Sequence, residues 1–440
     1  MSYNCRPHIG LALRVGRPPW LLFLFLTAVF FLSYHDLSYA REGFLAGRSA
    51  DDIGATIVNG SLVRRIALLS LGIVAIVSLV RDRAIRRLRI DGPLGWFFLG
   101  FVLWAFISPI WAEELPFTLR TLAVLGILCI AAAAVVLSLS LREIILWTVF
   151  STTLCLFIGI CAAVLFGTFQ PFASGYRFAG SLHPNAEGLE CGLLLLSAVA
   201  AADLEKRWRA LFWACALLGF AFLILSKSRT SLAATVLALV VYLAAVHSKR
   251  SVIVTACGLS IVLCFLFLFF GDGLLPSLRN AMSLGRNDPG SVNSYDGRTE
   301  IWEDVSFYIR QRPMLGYGYG GFWTPARVNM ISEEENWAVP NGHSAYIDYL
   351  LALGAVGLLA YAFLLFAGII RAFRLHRLSQ NSAFAFCGAL LVFYAVDGIL
   401  ESNVFWGMIP VFPCLVVLAR LALVPEHADE FETCCVRVSR

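Results

Sequence analysis

Apolar runs long enough to cross a bilayer recur from end to end of this chain, separated by short polar stretches. With 59% hydrophobic and 14% charged residues, the sequence reads as an all-α polytopic membrane protein. A net charge of +5 would suggest nucleic acid in a soluble protein. Here the arginines gather in clusters between apolar runs, which is the signature of cytoplasmic loops, so no nucleic acid is expected.

The basic clusters orient the spans. Arg6, Arg14 and Arg17 precede a first run at 20–33 and place the amino terminus inside. That run is short, and Ser38-Tyr39-Ala40 resembles a small-x-small cleavage site; an uncleaved span is the reading preferred over a removed signal peptide. A polar external loop, 34–61, leads to span two at 62–80 and the dense cluster from Arg81 to Arg89. Spans three to nine follow at 93–110, 120–139, 143–166, 187–202, 210–225, the stretch returning to His247, and 252–270. The longest external segment is 271–342, and spans ten to twelve are expected at 344–369, 382–400 and 404–424. The organisation is therefore nine spans within 1–270, a loop at 271–342, three spans within 343–424 and a cytoplasmic tail at 425–440.

Most of the 12 cysteines lie in apolar spans, with Cys5, Cys434 and Cys435 in the tails and none in the long external segment. The spacing suggests neither a disulfide framework nor a zinc motif. The sequence gives no sign of a cofactor.

Four motifs carrying arginine or histidine fall on the external face. They are Arg177-Phe178-Ala179-Gly180 with His183-Pro184-Asn185, Ser228-Arg229-Thr230-Ser231, Gly297-Arg298 with Trp302, and Gly342-His343-Ser344. Guanidinium groups stay charged and bind pyrophosphate through a planar fork, so several at one membrane face suit an anionic lipid headgroup. Lys227 and Arg229 are exceptions to the charge sorting, with interfacial snorkelling as the rival explanation. Ile301, Trp302, Val305, Tyr308 and Ile309 recur at helical spacing, and Arg312-Pro313 stops that helix. Its apolar face is expected to lie on the membrane, with Arg298 beside the headgroups. The glycine-aromatic run that follows contains Tyr317 and Tyr319, which could stack on sugars or simply build a tight loop.

The order R-F-A-G with H-P-N, S-R-T-S, G-R-x-x-x-W followed by R-P-x-L-G-x-G, and H-S-x9-G-x-x-G resembles the O-antigen ligase and polysaccharide polymerase superfamily. Within it the chain looks closest to exopolysaccharide polymerases of the succinoglycan type. The resemblance implies a GT-C-like, metal-independent glycosyltransferase in the bacterial inner membrane. Its substrate would be a glycan linked to undecaprenyl pyrophosphate, polymerised at the periplasmic face, with a flippase and a chain-length regulator as partners. His343 matches the family's essential histidine, Arg229 and Arg298 its membrane-face arginines, and Arg177 is placed less securely. Lys227, His183, Asn185, Trp302, Tyr317 and Tyr319 are the accompanying substrate-binding candidates. Ligases often carry a second histidine beside this one; here Gly342 and Ser344 flank it, which favours a polymerase over a ligase. A polysaccharide or lipid transporter is the alternative from another class. Its ionisable residues should sit at mid-span, whereas Asp397 and Glu401 lie towards the external face.

Overall fold

A computed structural model describes residues 19–43, 60–81, 88–173, 175–247, 297–405 and 411–424. Among them the regular structure is helical throughout: α1 (Trp20–Tyr34), the short α2 (Ser38–Glu42), α3 (Leu62–Arg81), α4 (Gly92–Ile107), α5 (Leu115–Ser138), α6 (Leu141–Leu165), α7 (Pro184–Leu204), α8 (Arg209–Ser226) and α9 (Arg229–Val246). After these come α10 (Arg298–Gln311), α11 (Pro325–Glu335), α12 (Ala345–Ser379), α13 (Ser382–Asp397) and α14 (Phe412–Leu423). Among the described residues 7 helices can cross a membrane by length and composition, and α1, α13 and α14 are shorter apolar helices. The helix at expected span six, α7, is not among them, and span nine, with the loop up to residue 296 and both tails, lies outside the described residues. Span eleven ends earlier than expected, at Asp397, and the helix of span twelve begins only at Phe412.

The bundle is organised around α7, which packs on α6, α8, α9 and α13 and is buried along nearly its whole length. Small residues make that position possible. A Cβ at Gly188 would lie 2.5 Å from that of Ser228, and one at Gly192 would lie 2.3 Å from Thr235 Oγ1. Close backbone approach is the usual basis of helix association in lipid, where apolar burial between helices gains little. A second group joins α1, α3 and α5, and α14 links α5 and α4 to it.

Polar pairs collect at the two ends of the helices. At the end expected in the cytoplasm, Arg371 holds Asp91, Arg142 holds Glu205, Tyr242 donates to Asp203 at 3.0 Å, and His376 reaches the Ala245 carbonyl at 3.1 Å. The opposite ends carry the candidate residues described below.

Span ten departs from expectation. It is not one helix from 344 to 369 but two segments merged across Gly354, whose φ of 66° and ψ of −169° are not helical. The break frees backbone groups, and the glycine-aromatic run fills them. Tyr317 N–H donates to Leu351 O at 2.8 Å and Gly318 N–H to Ala352 O at 2.9 Å, while Ala355 N–H donates to Pro313 O at 2.8 Å. A Cβ on Gly354 would stand 2.2 Å from Met314 backbone, so both the backbone conformation and the approach demand glycine.

The amphipathic helix is also corrected. Its bounds match the expectation, but its apolar face does not lie on the membrane. Ile301 and Val305 are fully buried in a protein cluster with Tyr317, Phe322, Ile331, Val339 and Leu351. The external segment therefore has a small core of its own, closed over the broken start of α12. Burying one such aliphatic side chain contributes about 1.5–3 kcal/mol.

Candidate functional site

At the end of the bundle opposite the Arg371–Asp91 and Arg142–Glu205 pairs, one short loop, 397–403, gathers most of the candidates. Glu401 Oε1 accepts from Arg298 Nη2 at 2.7 Å and from Asn185 Nδ2 at 2.9 Å. Asn185 Oδ1 in turn accepts from Arg177 Nη2 at 2.6 Å, and Arg177 Nε donates to Ser226 O at 3.0 Å. Two distant stretches of chain thus meet on one carboxylate, with Arg177 joined to it through Asn185. Arg298 is only 6% exposed, so it is not a solvated surface arginine. Its place is set by Gly297, whose φ of 81° turns the chain into α10 beneath Trp337.

The same loop positions the start of α12. Ala345 N–H donates to the carbonyls of Gly398 and Glu401, and Ser402 Oγ donates to Asn341 Oδ1 at 2.9 Å. Asn341 Oδ1 also accepts from His343 N–H at 3.0 Å, an Asx turn one step before the helix. His343 itself has a φ of 47°, a left-handed conformation that a non-glycine residue adopts at a cost. The neighbouring Gly342 is pinned on both sides: its N–H donates to Asp348 Oδ1 at 3.0 Å, and its carbonyl accepts from Trp302 Nε1 at 2.8 Å. Trp323 Nε1 completes the arrangement with a 2.7 Å bond to Asp348 Oδ1. The His343 ring packs at 5.5 Å against Trp337. The imidazole is therefore held by backbone geometry from three elements.

Arg229 occupies the first turn of α9 and is half-buried. Beside it, Ser228 Oγ donates to Ser231 Oγ at 3.0 Å, and Ser231 Oγ to Asp397 Oδ1 at 2.9 Å; Asn403 holds the other Asp397 oxygen. The S-R-T-S motif is thereby locked to the loop that carries Glu401. Lys227 takes the left-handed position that ends α8, with φ 54°.

Other candidates take structural positions. His183 caps α7, its Nδ1 accepting from Asn185 N–H at 3.3 Å. Trp302 is a strut between α10 and the His343 turn. Tyr317 and Tyr319 are 2% and 0% exposed, which favours the tight-loop explanation over sugar stacking. Burial raises the Tyr317 phenol while Arg327 and Arg312 lower it, leaving a neutral ring under two cations.

Asn341, Asp348 and above all Glu401 were not among the leading candidates. Glu401 read as an ionisable residue near a span end; nothing local in the sequence tells that Arg177, Asn185 and Arg298 converge on it. Asp348 carried only a weak signal, in the first turn of the apolar helix that opens just after His343.

Residues 213–362 match the family model described as O-antigen ligase. That stretch, with Lys227, Arg229, Arg298, Trp302 and His343 inside it, supports the resemblance that the motifs carry. No curated protein matches the chain.

Proposed function

We propose, from an O-antigen-ligase-type domain set in a polytopic helical bundle, that the protein is a glycosyltransferase elongating a lipid-linked glycan at the external face of the membrane. The donor would be an undecaprenyl-pyrophosphate-linked oligosaccharide and the acceptor a sugar hydroxyl, in the inner membrane of a bacterium. A flippase and a chain-length regulator would work beside it. We take polymerase over ligase because a single histidine stands between Gly342 and Ser344, and a succinoglycan-type product from the resemblance of the combined motifs. The observation that carries the reading is the convergence of Arg298, Arg177 and the His343 turn on the 397–403 loop, with Arg229 tied to it through Ser231 and Asp397.

In this reading the imidazole of His343 acts as the base that removes the proton from the attacking hydroxyl. That oxygen forms the new glycosidic bond at the anomeric carbon as the bond to pyrophosphate breaks. Arg229 and Arg298 hold the departing pyrophosphate and offset the charge that grows on it, helped by the amide groups at the start of α9. Glu401 and Asn185 act as positioning residues that keep Arg298 and Arg177 extended before substrate arrives. Pyrophosphate is already a good leaving group, so the transfer requires no metal. A transporter would instead place the ionisable residues of its substrate site at mid-bilayer; Asp348, Asp397 and Glu401, which organise this site, stand at or beyond the ends of their helices.

The test is elongation of purified lipid-linked oligosaccharide by the purified protein. His343→Gln keeps hydrogen bonding and should lower the rate about 10²- to 10⁴-fold. A rate within a few-fold of the parent would remove His343 as the base.

A further inference from the structure

Away from the arginines, a buried cluster of three different donor types joins α1, α6 and α7. His35, Cys155 and Glu190 bring one ligand atom each to within 4.8 Å of the others. His35 caps the end of α1, Cys155 lies midway along α6, and Glu190 sits two turns into α7. The side chains of His35 and Glu190 are 1% and 7% exposed.

The polar atoms in this cluster are left short of partners. His35 Nδ1 is engaged by Ser181 Oγ at 2.7 Å, which orients the ring so that Nε2 faces Glu190 Oε1 at 3.3 Å. That contact lacks hydrogen-bond geometry, and Nε2 has no hydrogen-bond partner. Glu190 Oε2 has none either, nor has Glu187 Oε2, one turn earlier on the same helix and only 1% exposed. No lysine or arginine pairs with either carboxylate among the described residues. A buried carboxylate beside a lone pair is costly unless a cation neutralises it.

We propose that His35, Cys155 and Glu190 form a binding site for a late divalent transition metal, with zinc as its reference ion. Imidazole, thiolate and carboxylate are the donor set that zinc and its neighbours take and that magnesium and calcium do not. Tetrahedral zinc with bonds of about 2.0–2.3 Å holds its donors roughly 3.3–3.8 Å apart. The present spacing therefore contracts by roughly an ångström on loading, with the Cys155 thiol giving up its proton. Ser181 supplies the outer hydrogen bond that ligating histidines ordinarily have on their second nitrogen. Glu187, one turn earlier on α7 with one oxygen short of a partner, is the candidate to complete the set. The ion's role is structural: it fastens α1 and α6 to α7, the helix on which the bundle is built. It takes no part in the transfer proposed above, and the inference does not depend on that reading.

The full-length protein, purified in detergent, is incubated with zinc, freed of loose ion and assayed for bound metal by mass spectrometry. About one zinc per chain is expected, falling several-fold in Cys155→Ser, Glu190→Gln and His35→Asn, and unchanged in His343→Gln. Cobalt in place of zinc should give the near-ultraviolet thiolate-to-cobalt absorption of a cysteine ligand in the parent, a measurement that requires no variant to fold. A parent holding only trace zinc means that the cluster is balanced by protons, and the proposal fails. It fails equally if bound zinc is the same in all three variants, or if the cobalt form lacks the thiolate band.

Discussion

The pair formed by Arg298 and Glu401 can be separated from its neighbours by a thermodynamic cycle. Their atoms meet at 2.7 Å with side chains 8% and 14% exposed, so the pair is largely withdrawn from water. Removing one member of such a pair leaves a charge without its counterpart, which costs about 3–5 kcal/mol. Glu401 also serves Asn185, and its partial exposure lets water in, so the lower end of about 3 kcal/mol is expected for Glu401→Leu. Arg298→Leu should cost a similar amount. With both replaced no charge remains uncompensated, and the double variant should be about 2 kcal/mol or more better than the sum of the singles. The assay is equilibrium unfolding in mixed detergent micelles followed by tryptophan fluorescence. Activity should be lost in all three variants, so recovery of stability without activity separates the structural from the functional role. Additive single effects, or singles within about 0.5 kcal/mol of the parent, would show that the two charges are solvated independently and that the convergence on Glu401 is not an energetic unit.

Gly354→Ala should destabilise the external segment strongly, because a Cβ there meets Met314 backbone at 2.2 Å; faster proteolysis between residues 297 and 345 in the variant is the measurement, and an unchanged digestion pattern refutes it. Arg298→Lys and Arg229→Lys keep the charge but lose the planar fork, so each should recover only part of the elongation lost in the alanine variants; full recovery would reduce these residues to point charges. Burial, then the hydrogen bond and charge of Asp304, push Glu335 up from 4.5 to about 7, with Glu300 and Glu334 adding to the effect. The folded protein thus holds a proton that the unfolded chain releases. This contribution is full below about pH 4.5 and is lost as pH rises through about 7. Hydrogen exchange in α10 and α11 should therefore speed up between pH 5 and pH 8 beyond the intrinsic rate, and Glu335→Gln should flatten that trend; an identical pH response in the variant rules the pair out.

By itself the sequence determined the class of the protein, an all-helical membrane chain. Periodic apolar runs and clustered arginines are local signals, because the bilayer acts on each segment separately. For the same reason the helix over 298–311 was legible from its spacing and its stop at Arg312-Pro313. What covers its apolar face was not, since a stripe of Ile301 and Val305 fits a membrane surface as well as a protein core. The motifs named His343, Arg229 and Arg298, but the residue that unites the site, Glu401, lies 58 positions after His343 in a loop with no motif. Likewise the break at Gly354 is one glycine among the chain's 35 until the 313–318 run is seen to dock against it. His35, Cys155 and Glu190 carry no metal-ligand spacing because they stand on three separate helices. Only the packing of α1 on α6 and of α6 on α7 brings them together, since long-range proximity is set by which helix faces can approach.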